Sequence, residues 1–347
     1  MSAPPTDPKS PPASARSARV VLIIVLAIPV FVAFALWAFS WPVARMAPNE
    51  LPVGVAGPEA AAGPVAEQLR AQDGSFDVHV YEDEAQARAA IEDREVYGAF
   101  VLSPEAPPQM LTATAGSPAV AQLLSQLAAQ QAPEGTEVAV VDVVPGPPGD
   151  PRGAAFNTSV MPLGLAGMAT GAAVGFAGLR RGHALVALVG AAALVGAVGA
   201  LIGHSWLEAL DGSWLAVASV LGLMVLTGAS LVAGCVSLLG PPGVGVGALF
   251  LVLLGTPWSG AASAPEMLPD PIGVIGQLLP TGSGVTMLRS VSGFDGAAIG
   301  FPLTVLLVWI ALGLTGVLLG RRPGPGARPA PVPVPDDDQQ VPAAARS

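Results

Sequence analysis

Few residues in this 347-residue chain are placed to do chemistry. Its one cysteine, Cys235, lies inside an apolar run. It has no disulfide partner and no surrounding set of zinc ligands, so it reads as a small buried residue. Lys9 is the only lysine, and no G-x-x-x-x-G-K-[ST] phosphate loop is present, so the chain does not hydrolyse ATP by that route. Glu82-Asp83-Glu84 is a dense acidic run. Three acids ahead of a helix suit the positive end of its dipole, and this reading is preferred to a metal site. His183 and His204 fall near the ends of apolar runs and read as interfacial residues rather than proton relays. No nucleophile–base arrangement and no metal-ligand cluster is visible, so neither catalysis, nor a metal, nor a cofactor is expected. What remains is a short polar segment between two apolar runs, carrying Glu266, Asp270, Arg289 and Asp295. Pro269, Pro271 and Pro280 punctuate it. Its own apolar stretch, from Ile272 to Leu279, is too short to cross a membrane; it reads as a helix half-sunk in the interface or as a re-entrant piece.

The elements that hold this segment are legible in where charge is absent. No Asp, Glu, Lys or Arg occurs in Val20–Val43, Gly153–Leu179, Gly182–Trp206, Gly212–Pro265 or Gly296–Gly320. About 20 apolar residues span the ~30 Å of a bilayer's hydrocarbon, and the fourth run is long enough for two crossings. Six spans follow: Val20–Trp41, Asn157–Gly178, Ala184–His204, Trp214–Leu239, Val244–Trp258 and Ala297–Gly320. The fifth is short for a full crossing, and Gly240-Pro241-Pro242-Gly243 marks a turn before it. The expected fold is a membrane all-α bundle of six transmembrane helices, with a small extracytoplasmic α/β domain inserted between helices 1 and 2.

Charge also orients the spans. Lys9, Arg16 and Arg19 precede the first, Arg180 and Arg181 lie between the second and third, and Arg321, Arg322 and Arg328 follow the sixth. All fall on one side if the spans alternate, and the positive-inside rule makes that side cytoplasmic. Both termini are then cytoplasmic in a multi-pass protein of the cell membrane. The loop Ser205–Ser213, on the other side, carries Glu208 and Asp211 and no cation; Arg45 is the one juxtamembrane dissent. The first span is longer than a signal-peptide core and ends in Trp37 and Trp41, which favours an uncleaved anchor over a cleaved leader. The tails, residues 1–19 and 321–347, are rich in Pro and are expected to be disordered.

Residues 45–156 form the inserted domain. Ala47–Phe156 carries 16 acidic residues and four Arg, which argues against nucleic acid as a partner. Strand signals at Leu51–Ala56, Phe76–Tyr81, Tyr97–Leu102, Met110–Ala115 and Glu137–Val144 alternate with helix signals at Pro64–Gln72, Glu84–Glu95 and Ser117–Ala132. The order β-α-β-α-β-β-α-β implies a partly parallel sheet. In the membrane block, residues 157–320, Gly167, Gly171 and Gly175 recur every fourth residue, as do Gly199 with Gly203 and Gly316 with Gly320. This spacing lines up a flat helix face along which another helix approaches closely.

Three stretches carry a resemblance. Leu51-Pro-Val-Gly-Val-Ala-Gly57 follows the first span. Phe76-Asp-Val-His-Val-Tyr81 leads through Ala89-Ala-Ile91 to Val96-Tyr-Gly-Ala-Phe-Val-Leu-Ser-Pro104. Ser259-Gly-Ala261, Leu279-Pro-Thr-Gly282, Leu288-Arg289 and Phe294-Asp-Gly296 precede the last span. Together with the one-plus-five layout they resemble the permease subunits of type-2 ABC exporters, in the branch that includes the phage infection protein. The resemblance implies a homodimer in the lipid bilayer and a separate cytoplasmic ATPase subunit. It also implies outward movement of a hydrophobic or envelope-related substrate, with Ser259–Gly296 near the exit. In similar permeases the loop between spans two and three couples to the ATPase, which gives that role to Arg180 and Arg181. Here that loop is only Leu179–His183, and the N-terminal tail shows no amphipathic helix. Those two departures keep an alternative open: a non-transporting scaffold or receptor whose acidic outer domain binds a cell-envelope partner.

Overall fold

The computed structural model describes residues 13–72, 74–103, 106–131 and 138–320; the expected C-terminal tail, and the N-terminal tail up to residue 12, lie outside them. Helix α1, Ala13–Ala44, begins seven residues ahead of the expected first span. Five strands follow: β1 Leu51–Ala56, β2 Phe76–Tyr81, β3 Gly98–Val101, β4 Gln109–Thr112 and β5 Ala139–Asp142. Between them run α2 Glu59–Arg70, α3 Glu84–Glu92 and α4 Pro118–Gln131. The sheet order is β2-β1-β3-β4-β5, parallel throughout except for the β3–β4 pair. The short connection from β3 to β4 has no helix to carry the chain back, so that pair is antiparallel.

Local chemistry starts α3 and α4 where the sequence signals them, whereas α2 begins at Glu59, ahead of the expected Pro64, which lies inside it. The Asp83 carboxylate accepts from Gln86 N at 2.9 Å and caps α3. Ser117 Oγ accepts from Val120 N at 3.3 Å ahead of Pro118 in α4. Helices cover both faces of the sheet. Leu51, Val53, Val55, Phe100 and Met110 pack on α2 and α4. Ala56, Ala99, Val101 and Leu111 pack on α3 through Ala87, Ala90 and Ile91.

The helical part holds α5 Ala154–Phe176, α6 Arg181–Ala200, α7 Trp214–Leu239, α8 Pro242–Ala248, α9 Ile272–Leu278, α10 Pro280–Gly293 and α11 Gly300–Leu319. The α6 and α8 helices each run on into a π-helical turn, Leu201–Trp206 and Leu249–Leu254. Among the described residues five helices are long and apolar enough to cross a membrane: Val21–Ala44, Ala154–Phe176, Arg181–Trp206, Trp214–Leu239 and Gly300–Leu319. The expected fifth span is the shorter helix Pro242–Leu254. At about 1.5 Å per residue it covers roughly 20 Å, less than the ~30 Å hydrocarbon core.

Helix α7 is the axis of the bundle, packed against α5, α6 and α11. Small residues permit this. A Cβ on Gly171 would collide with the Ala229 carbonyl oxygen, one on Gly167 would meet Val225 O at 3.1 Å, and one on Gly175 would meet Val236 Cγ1 at 2.7 Å. On the opposite side Gly313 abuts the backbone at Ser230, and Gly316 lies against Gly234. By contrast the described side chains of α1, from Val21 on, are mostly exposed, and the helix meets the bundle near its end, at Ala38 and Trp41.

Candidate functional site

The segment between α8 and α11 turns back into the bundle instead of lying on it. The chain enters through α9, reverses at Leu279-Pro280 and returns through α10. The reversal sits at mid-helix depth, where Trp309 Nε1 of α11 donates to Leu278 O at 2.8 Å. Thr281 Oγ1 donates to Leu251 O at 3.0 Å. Leu251 lies in the π-helical turn after α8, where altered backbone pairing accompanies a carbonyl that accepts from outside the helix. Gln277 locks the two arms: its Oε1 accepts from Thr286 Oγ1 at 2.6 Å, and its Nε2 donates to Ser259 O at 3.2 Å. The polar faces of α10 are thereby satisfied inside the protein, as a hairpin at this depth requires.

The two ends of this hairpin join the helices to the sheet domain. Asn49 N donates to Glu266 O at 2.8 Å and Ala47 N to Met267 O at 3.1 Å. Met267 and Ala264 enter the core on one sheet face, and Phe294 enters the core on the other. Between them lies a polar cluster. Tyr97 Oη, from the turn before β3, donates to Glu266 Oε2 at 2.8 Å. Burial above all, and then the Glu266 charge, push the Tyr97 pKa up, so the phenol stays a neutral donor. Arg94 follows α3 with a left-handed φ of 63°. Its Nη1 donates to Thr286 O at 3.0 Å and to Ser290 Oγ near the end of α10, and its guanidinium lies 5.2 Å from the Phe294 ring centroid. Burial lowers its pKa. Arg289 is buried, donates to Gly260 O at 3.2 Å and Ala261 O at 2.7 Å, and lies over the Phe156 ring of α5.

Of the four charged residues expected at an exit, Glu266 and Arg289 thus enter the junction, while Asp270 and Asp295 are exposed outside it. Arg94 and Asp150 belong to the same region and carry no motif that singles them out; Tyr97 joins them from the Val96–Pro104 stretch that carries the resemblance, with no role assigned to its side chain there. Asp150 is buried and accepts from Ala154 N and Phe156 N, both at 2.7 Å, so it caps α5. A cavity of about 240 Å³ opens between the sheet domain and the helices, lined by Arg94, Tyr97, Glu266, Gln277, Phe294 and Phe301 among others. At the opposite end of the bundle Arg180 and Arg181 are exposed at the start of α6. Gly167, Gly171 and Gly175 face α7, Gly199 faces Leu221, and Gly203 faces Leu210. No group of His, Cys, Asp and Glu among the described residues is arranged to hold a metal.

These features define a helical protein of the membrane type, in which a small α/β domain is tied to a re-entrant hairpin. Residues 19–139, which take in α1 and the sheet domain as far as the first residue of β5, match the family model for ABC-2 family transporter proteins. No curated protein and no solved structure matches the chain.

Proposed function

We propose that this chain is the membrane permease of an ABC-2 type exporter, moving a hydrophobic or envelope-related substrate outward with energy from a separate ATPase. The observation that carries the reading is the family match across α1 and the sheet domain, beside five helices among the described residues that are long and apolar enough to span. In this reading residues 45–156 are extracytoplasmic and residues 157–320 are the membrane block. Pro242–Leu254 completes a sixth pass in a locally thin bilayer, and both tails are cytoplasmic. Two copies form the transport path, Ser259–Gly296 borders its exit, and Arg180 and Arg181 meet the ATPase. The chain supplies no catalytic group of its own.

The test is to purify the tagged protein from its native membrane in mild detergent and identify by mass spectrometry what accompanies it. A nucleotide-binding subunit in stoichiometric amount is expected. Its recovery should fall at least about tenfold in the Arg180→Glu, Arg181→Glu double variant, because charge reversal replaces attraction by repulsion across the contact. A second reading, a scaffold or receptor acting through the acidic domain, is favoured by the short connections Ala177–Arg180 and Gly240–Pro241 at the far end. Envelope proteins without an ATPase, together with normal efflux in a deletion strain, would replace the first reading by the second.

A further inference from the structure

We infer that the α9–α10 hairpin is a conformational coupling built into the fold, with Arg94 positioning it from the sheet domain and Trp309 positioning it from the bundle. Both outer ends of the hairpin are seated in the sheet domain, one on each side of the sheet. Ala264 and Met267, ahead of α9, enter the core beneath α2 and α4, and Phe294, at the end of α10, enters the core beneath α3. A Cβ on Gly293 would meet Ala115 Cβ at 2.7 Å, so the end of α10 lies directly on the turn after β4. A displaced sheet therefore carries both arms with it. Arg94 extends the hold deeper. Its bonds reach Thr286 O and Ser290 Oγ, and Thr286 is about two turns back from Phe294, roughly 12 Å along the helix axis.

The hold does not stop at Thr286. Its Oγ1 donates to Gln277 Oε1 on the other arm, and Ser283 Oγ donates to Gln277 O. The next carbonyl, Leu278 O, accepts from Trp309 Nε1 of α11, and at the tip Thr281 Oγ1 donates to Leu251 O. The contacts form one continuous physical series from the end of α3 to the middle of α11. At the tip the chain reads Pro280-Thr-Gly-Ser-Gly284, with no long side chain to interlock with a neighbour, so hydroxyl bonds fix its place. The outer half of α10 packs Met287 and Leu288 in one core with Leu221 of α7 and Leu306 of α11, so a shift of α10 is felt by both. Between α10 and α11 the chain turns through Asp295, Gly296 and Ala298, all left-handed, with φ of 49°, 88° and 57°, so α10 is no rigid continuation of α11. The inference does not depend on the export reading, because such a coupling serves a permease or a receptor alike.

The test is amide hydrogen exchange on the full chain in detergent, followed peptide by peptide. Arg94→Gln should speed exchange across Thr286–Gly293 at least about tenfold, the scale of lost charge-assisted bonds, and across Gln277–Ser283 at least about threefold. Strands β1 and β3 should keep their wild-type rates, whereas a role of Arg94 confined to the stability of the sheet domain would loosen them first. Trp309→Phe is the reciprocal variant, since coupling between two sites runs both ways. It lies outside the sheet domain and should speed exchange at least about threefold in the turn Arg94–Tyr97, whose four amides are all bonded in the wild type. Wild-type rates at Gln277–Ser283 in a folded Arg94→Gln protein overturn the inference, and so does a general loosening that includes β1 and β3. Wild-type rates at Arg94–Tyr97 in Trp309→Phe overturn it equally, and that measurement stands even if Arg94→Gln fails to fold.

Discussion

Tyr97 shows how much of the junction rests on single groups. Its phenol is buried, and its partner Glu266 Oε2 has no other donor from the described side chains. Tyr97→Phe leaves the ring's packing in place and removes only the donor. It should cost about 1–3 kcal/mol, the penalty for stranding a polar acceptor, read as a lower melting temperature in detergent. Tyr97→Phe combined with Glu266→Gln should recover part of the loss, because the charge that needs the donor is gone. Glu266 and Arg289 were legible in the sequence as charges in a short segment between spans. Arg94 was not, because its role comes from a left-handed turn after α3 that aims it at α10, some 190 residues further along. Nor was Asp150, which looks like one more acid in a Pro/Gly linker until the start of α5 is placed beside it.

At the scale of elements, the strands of the sheet domain and its helices α3 and α4 lie close to their sequence signals, while α2 begins at Glu59 instead of Pro64. Phe76–Tyr81 alternates apolar and polar residues, and Asp83 and Ser117 are good N-caps. Helix α10 had no such signal. It is built from Gly, Ser and Thr and is buried on nearly all sides, so neither apolar periodicity nor length announces it. The glycine spacing marks a flat helix face without saying which helix lies against it; at Gly167, Gly171 and Gly175 that helix is α7. Gly171→Val forces branched carbons into the Ala229 backbone and should destabilise the α5–α7 contact by about 1–3 kcal/mol, whereas Gly164→Val, at an open position on the same helix, should change little. Helix α1 offers a more discriminating case. Pro42 has no N–H, so Ala38 O lacks its partner within the helix. Trp258 Nε1 donates to that oxygen at 3.2 Å, and the Trp258 ring meets Trp37 edge-on. Trp258→Phe should cost about 1 kcal/mol through the lost bond. Pro42→Ala restores an internal donor, so the double variant should be more stable than the sum of the two single changes predicts; strict additivity would show that the indole bond contributes nothing.

For the whole molecule the proposed sidedness of the membrane rests on the distribution of exposed cations. At the end away from the sheet domain Arg180, Arg181 and His183 are exposed, and the described turns there, 177–183 and 240–241, hold no carboxylate. At the domain end, Arg94 and Arg289 are taken up by the junction, and Arg45 lies 6.0 Å from the Trp41 ring centroid. The exposed residues at that end include Glu92, Asp270 and Asp295. A cation already bound to protein groups is a weak retention signal. Arg45 and Arg152 are still exposed at that end, one cation on each of two connections against the Arg180–Arg181 pair on a single connection, and on that balance the Arg180–Arg181 end is the one proposed as cytoplasmic. Replacing Cys235, half-buried in α7, with Ala gives a background in which single cysteines report position. Glu92→Cys in that background should react with a membrane-impermeant maleimide in intact cells. His183→Cys should react only after the membrane is opened. The reverse pattern would put the sheet domain inside the cell. The ATPase contact would then have to be sought on the acidic domain instead of on Arg180 and Arg181.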